Sequence, residues 1–168
     1  MDKSEINWYE KFLKETGDRS MVIVSWAILD EELKLLLYKR LAKVSGMKNI
    51  IDNLSFCRKA AWSCMAGIIS SSDYDNMKTL NELRNDFAHD PDKTEITDED
   101  ISCVEVLKKA YILGEGAKTK FKWFVVTNLA HLKNLKVERI ESPEDISLSL
   151  EEFVKNIKGS TSKYEDFS

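Results

Sequence analysis

The stretch from Met21 to Leu29 is apolar at every position except Ser25, and it limits the architectures open to this chain. Its length is about half of the roughly 20 residues that a bilayer-spanning helix needs, so no membrane span is expected. The pattern continues through Leu33, Leu35, Leu36, Leu37 and Leu41 at helical spacing. This predicts one long helix from about Asp18 or Arg19 to Lys43, and an apolar first half of this kind belongs at the centre of a bundle. There are six glycines and two prolines among 168 residues, too few to punctuate a hairpin-rich fold. The expected class is therefore all-α: a single-domain bundle of about six to seven helices. The expected organisation is an N-terminal helix over residues 1–17, the bundle over 18–158 and a disordered tail over 159–168.

The other helices follow from periodicity and from start and stop signals. A first helix is expected from Glu5 to Glu15, ended by Gly17, and a connector of about one turn over Met47 to Asn53. Ser55 can cap a helix that carries the stripe Phe56, Ala60, Cys64, Met65, Ile68 and Ile69 to about Ser70. The next helix is predicted from about Ser72 to Asp90, with Ser72 and Asp75 as a capping box and Pro91 as the stop. Thr97 and Asp100 predict a second capping box for a helix that runs to about Leu113. A further helix is predicted from Thr119 to about Lys136, since the Phe121, Val125, Leu129 and Leu132 spacing favours helix over strand. Pro143 opens a last one, amphipathic to Ile157.

Composition excludes several classes. The net charge is −4, and a dedicated DNA-binding protein usually carries a basic face. No helix-turn-helix precedes a basic recognition helix, so direct DNA binding is not expected. Three cysteines, Cys57, Cys64 and Cys103, lack paired spacing, which argues against a disulfide framework and fits a reducing cytoplasm. Cys57 and Cys64, with Met65, read as packing residues. No C-x-x-C or histidine pair suggests zinc, and neither a metal nor a cofactor is expected. The acids Asp73, Asp75 and Asp86, and the group Glu95, Asp98, Glu99 and Asp100, read as helix-start acids and solvated charge. There is no G-x-S-x-G elbow, and Gly114-Glu115-Gly116 is too short for a phosphate loop. The polar start, Met1 to Glu5, is unlike a signal peptide.

The chemistry-bearing stretch is Asn81-Glu82-Leu83-Arg84-Asn85-Asp86-Phe87-Ala88-His89-Asp90, which holds one of the two histidines. On a helix, Leu80, Leu83 and Phe87 share the core face, with Arg84 at its edge. Asn81, Arg84, Asn85, Ala88 and His89 then form a polar strip with one small residue, suited to a partner helix or a cleft. A second feature is the lysine-rich segment around His131. Lys118, Lys120, Lys122 and His131 could form a phosphate-attracting rim or a plain solvated face. Trp26 and Trp123 read as core residues rather than base-stacking platforms.

Arg84-Asn85-Asp86-Phe87-Ala88-His89 resembles the R-x4-H signature of HEPN domains, small all-helical domains of which many are metal-independent endoribonucleases that dimerise to build the site. Leu29-Asp30-x-x-Leu33, Phe56…Cys64…Gly67-Ile68-Ile69, the Cys103 helix and the segment Phe121 to Val125 resemble the mannitol operon repressor (MltR-like) family. That likeness covers roughly Met21 to Leu135. The family name implies transcriptional regulation.

The resemblance implies one reading in which His89 is general acid/base, Arg84 stabilises the phosphorane and Asn85 orients a phosphate or His89. A homodimer and an RNA substrate go with it. In the other reading the chain is a non-enzymatic regulator that binds a protein partner. Arg84 then pairs with Asp30 or Glu31 as a structural lock, and Asn85 and His89 satisfy backbone carbonyls or sit at a dimer contact.

Overall fold

The computed structural model describes Phe12, Lys14 and residues 17–41, 46–102 and 116–137. These residues form six helices and no strand, so the all-α class holds. The helices are α1 (Asp18–Leu41), α2 (Met47–Asp52), α3 (Phe56–Met65), α4 (Ser71–His89), α5 (Asp98–Ser102) and α6 (Ala117–Asn134). The expected first helix, the expected last helix, the tail, Cys103 and the Gly114-Glu115 break lie outside the described residues. No helix among the described residues is long and apolar enough to cross a membrane.

The chain divides into two units. One draws its described residues from Met1–Glu32 and Asp75–Asn134, the other from Leu33–Tyr74 and Leu135–Ser168.

In the first unit, α1 contributes Met21, Val22, Ser25 and Leu29, all fully buried. The first half of α1, placed at the centre of a bundle by its composition, is not buried on every side. Ala27 is exposed and Ile23 is 41% exposed, so α1 follows an ordinary amphipathic stripe in which the lone serine points inward. Ser25 avoids an unmet buried hydroxyl by donating to the Met21 carbonyl at 2.6 Å. From α4, Met77, Leu80, Leu83 and Phe87 are buried, and from α6, Phe121, Phe124, Val125 and Leu132. The Asn76 and Asn128 amides are also buried. Asn76 Nδ2 donates to Asn128 Oδ1 at 3.4 Å, and Asn128 Nδ2 donates to the Phe124 carbonyl at 2.8 Å.

In the second unit, α3 stops at Met65, five residues before the sequence expectation. Gly67 is the reason. Its φ of +66° is left-handed backbone, and it closes a Schellman turn in which Ile68 N–H donates to the Ser63 carbonyl and Gly67 N–H to the Cys64 carbonyl. Ile68 and Ile69 are buried, but from the turn rather than from the helix. The α4 capping box sits two residues upstream of the predicted one. Ser70 Oγ donates to Asp73 Oδ2 at 2.7 Å, and Asp73 N–H donates back to Ser70 Oγ at 3.1 Å. The Tyr38 hydroxyl donates to Asp52, with Lys34 beside it, and holds that carboxyl below the ordinary range.

The Thr97–Asp100 capping box forms as the sequence predicts. Thr97 N–H donates to Asp100 Oδ2 at 2.7 Å, and Lys93 Nζ pairs with Asp100 Oδ1 at 2.7 Å. Burial pushes the Asp100 carboxyl up, but the bonds from Lys93 and Thr97 outweigh it and hold the group below its ordinary value. A carboxyl lowered by folding adds stability that is complete above its unfolded-state value, about 3.9, and is lost as pH falls through the lower folded-state value. Denaturation followed from about pH 5 to about pH 2.5 is expected to show a steeper loss for wild type than for Asp100→Asn. Parallel curves would refute the linkage.

Candidate functional site

Helix α4 places the strip residues by anchoring its opposite side. Leu83 and Phe87 are drawn into the core, which leaves Arg84 half-buried at the edge. Asn81 and Asn85 are half-buried as well, and Ala88 and His89 are exposed. His89 makes no hydrogen bond to a described residue, so among the described residues the expectation that it satisfies a backbone carbonyl is not met.

Arg84 meets Trp26 of α1. Its Cζ lies 5.0 Å from the centroid of the indole ring, a cation–π contact. Arg84 Nη1 donates to Asn85 Oδ1 at 3.1 Å, and Trp26 Nε1 donates to Asn81 Oδ1 at 3.2 Å. Arg84 Nε is buried without a hydrogen-bond partner. The expected ion pair with Asp30 or Glu31 is absent. The guanidinium lies over the indole ring, and its one side-chain hydrogen bond goes to a neutral amide. The positive charge is therefore held in place without a carboxylate against it.

Beyond His89 the chain is pinned from the start of α1. Arg19 Nη2 donates to the carbonyls of Asp90, Pro91 and Lys93, at 3.1, 3.5 and 3.4 Å. These groups lie at and just past the C-terminus of α4, where a guanidinium also favours the helix dipole. Asp18 Oδ2 accepts from Ile96 N–H at 2.9 Å, and Asp18 also pairs with Lys118. Asp90 Oδ1 accepts from Asp92 N–H at 2.8 Å, closing the turn at Pro91. In the sequence, Asp18 and Arg19 read only as helix-start residues. No local signal marks partners so distant along the chain.

The predicted basic rim is largely committed to ion pairs. Lys118 pairs with Asp18, and Lys120 Nζ lies 2.7 Å from Asp98 Oδ1. Lys122 is half-buried and His131 exposed. Trp123 is 53% exposed, which corrects its reading as a core residue; its side of α6 faces away from Phe121, Val125 and Leu132. Cys57 and Cys64 are half-buried thiols. Among the described residues, no three histidine, cysteine or acidic side chains are grouped to hold a metal ion.

Comparison with protein-family models, with curated proteins and with solved structures finds no match to this chain.

Proposed function

We propose that this protein is a HEPN-like, metal-independent endoribonuclease that acts as a homodimer in a regulatory, defence or toxin-type response. The observation that carries the reading is Arg84, held by an aromatic face and a neutral amide instead of a carboxylate. A structural lock has every reason to pair its arginine, because an uncompensated half-buried charge is costly. A phosphate site has every reason not to.

The RNA supplies its own nucleophile. His89 takes the proton of a 2′-hydroxyl, the oxygen attacks the adjacent phosphorus, and the 5′-oxygen leaves with a proton from an imidazolium. The products are a 2′,3′-cyclic phosphate and a free 5′-hydroxyl. An imidazole suits both proton transfers near neutral pH. Arg84 stabilises the charge that develops on the non-bridging oxygens, and Asn85 steadies Arg84. A two-fold dimer brings two such sets together. The resemblance of Arg84-Asn85-Asp86-Phe87-Ala88-His89 to the HEPN signature supports this reading, whereas the resemblance to the mannitol operon repressor family goes with the second.

The second reading is a regulator that acts through a protein partner, and the exposure of Trp123 and Ile23 favours it. Incubation of purified protein with single-stranded RNA in EDTA separates the two. The expected result is cleavage to cyclic-phosphate ends by a species that sediments as a dimer. Intact RNA at micromolar protein would turn the search toward protein partners.

A further inference from the structure

We propose that Trp26 is a positioning residue for Arg84: its indole face, in place of a carboxylate, holds the guanidinium on the polar strip of α4 with its charge left for an anion. The inference rests on the phosphate-binding reading of Arg84 and names the group that makes that reading workable.

A guanidinium has two kinds of surface. Its N–H edge makes hydrogen bonds in the plane, and its flat face stacks on aromatic rings. A carboxylate partner takes the edge and the charge together. An indole takes the face alone. With Cζ 5.0 Å from the Trp26 centroid, Arg84 is held over the ring by an uncharged partner, which leaves its charge uncompensated. Asn85 takes one Nη1 proton, and Nε is buried. Nη2 makes no hydrogen bond to a described residue and is not sealed from solvent, so that part of the fork remains for an anionic oxygen.

The platform is itself fixed. Trp26 Nε1 donates to Asn81 Oδ1, and Asn81 lies on α4 one turn before Arg84. The chain of contacts leaves α4 at Asn81, crosses to α1 at Trp26 and returns to α4 at Arg84. The bond at its nitrogen restrains the indole against pivoting away with the arginine. The neutrality of Asn81 matters as much as its position. Aspartate there would accept the same indole bond but place a carboxylate three residues from Arg84, within reach of an ion pair on a helix.

Three variants of the full chain test this: Trp26→Leu, Trp26→Phe and Asn81→Asp, each checked for helix content by circular dichroism. The first readout is NMR of the Arg84 side chain, which a stacked ring shifts upfield. The shift is expected to vanish in Trp26→Leu and persist in Trp26→Phe. The second readout is RNA cleavage in EDTA. Trp26→Leu is expected to lower kcat by roughly ten- to a hundredfold with KM little changed, because a misplaced group costs rate more than binding. Trp26→Phe is expected to restore most of the rate, and Asn81→Asp to lose about tenfold with the fold intact.

Arg84 resonances unmoved by Trp26→Leu, or a wild-type kcat in Trp26→Leu or Asn81→Asp, would overturn the proposal. If Trp26→Leu does not fold, the Asn81→Asp rate decides. If the wild-type protein cleaves no RNA, the nuclease reading falls by itself, and the arginine resonances, which need no substrate, still decide whether Trp26 holds Arg84.

Discussion

Replacement of His89 by alanine is expected to lower RNA cleavage by about 10²- to 10⁴-fold, the usual contribution of a general acid/base. The same substitution is expected to change stability by no more than about 0.5 kcal/mol. The second half of this prediction comes from the structure. His89 is exposed at the last position of α4 and makes no hydrogen bond to a described residue, so its removal leaves no cavity and no orphaned partner. Its loss of helix-dipole interaction is of the same small size. Rates of cyclic-phosphate formation measured beside urea denaturation curves check both halves. A large loss of stability would show that His89 is structural, and unchanged cleavage would remove it from the chemistry.

Two residues earlier the expectation reverses. Phe87→Ala is expected to destabilise the protein by about 3–5 kcal/mol. Phe87 is fully buried, and the Lys93 ammonium lies 5.8 Å from its ring centroid. Truncation removes a large buried surface, leaves a cavity and takes away one contact of the lysine that holds Asp100. A loss of this size is a large share of the roughly 5–15 kcal/mol that holds a domain together. Urea denaturation followed by circular dichroism measures it, and a cost under about 1 kcal/mol would mean that the site collapses without strain.

These neighbours show what the sequence made legible. Period alone put Phe87, Leu83 and Leu80 in the core and Arg84 at its edge, because a helix repeats the same geometry at each turn. The Thr97–Asp100 capping box was legible for the same reason: its partners are three residues apart. Where two local signals competed, sequence could not rank them. Ser72 and Asp75 make as good a box on paper as Ser70 and Asp73. Ile68 and Ile69 extend the α3 stripe on paper, and only the left-handed turn at Gly67 separates them from it. The partner of Arg84 was out of reach altogether. Asp30 and Trp26 lie one helical turn apart on α1, and which of them the guanidinium meets is decided by packing that no spacing rule contains. Trp123 failed for a related reason: aromatic content says how much surface wants burial, not which ring receives it.

The clasp of Asp18 and Arg19 on the segment after His89 has a consequence in time. Arg19 reaches the Asp90 carbonyl across 71 residues, Asp18 reaches Ile96 across 78, and Lys118 closes on Asp18 across 100. Helix α4 can wind from its own sequence, but closure of loops that long costs chain entropy before any contact repays it. The clasp on the segment after His89 therefore closes only when the start of α1 meets it. A growing chain that has already released His89 from the ribosome still lacks Lys118, and so still lacks part of that clasp. The clasp beyond His89 is complete only once Lys118 has been made.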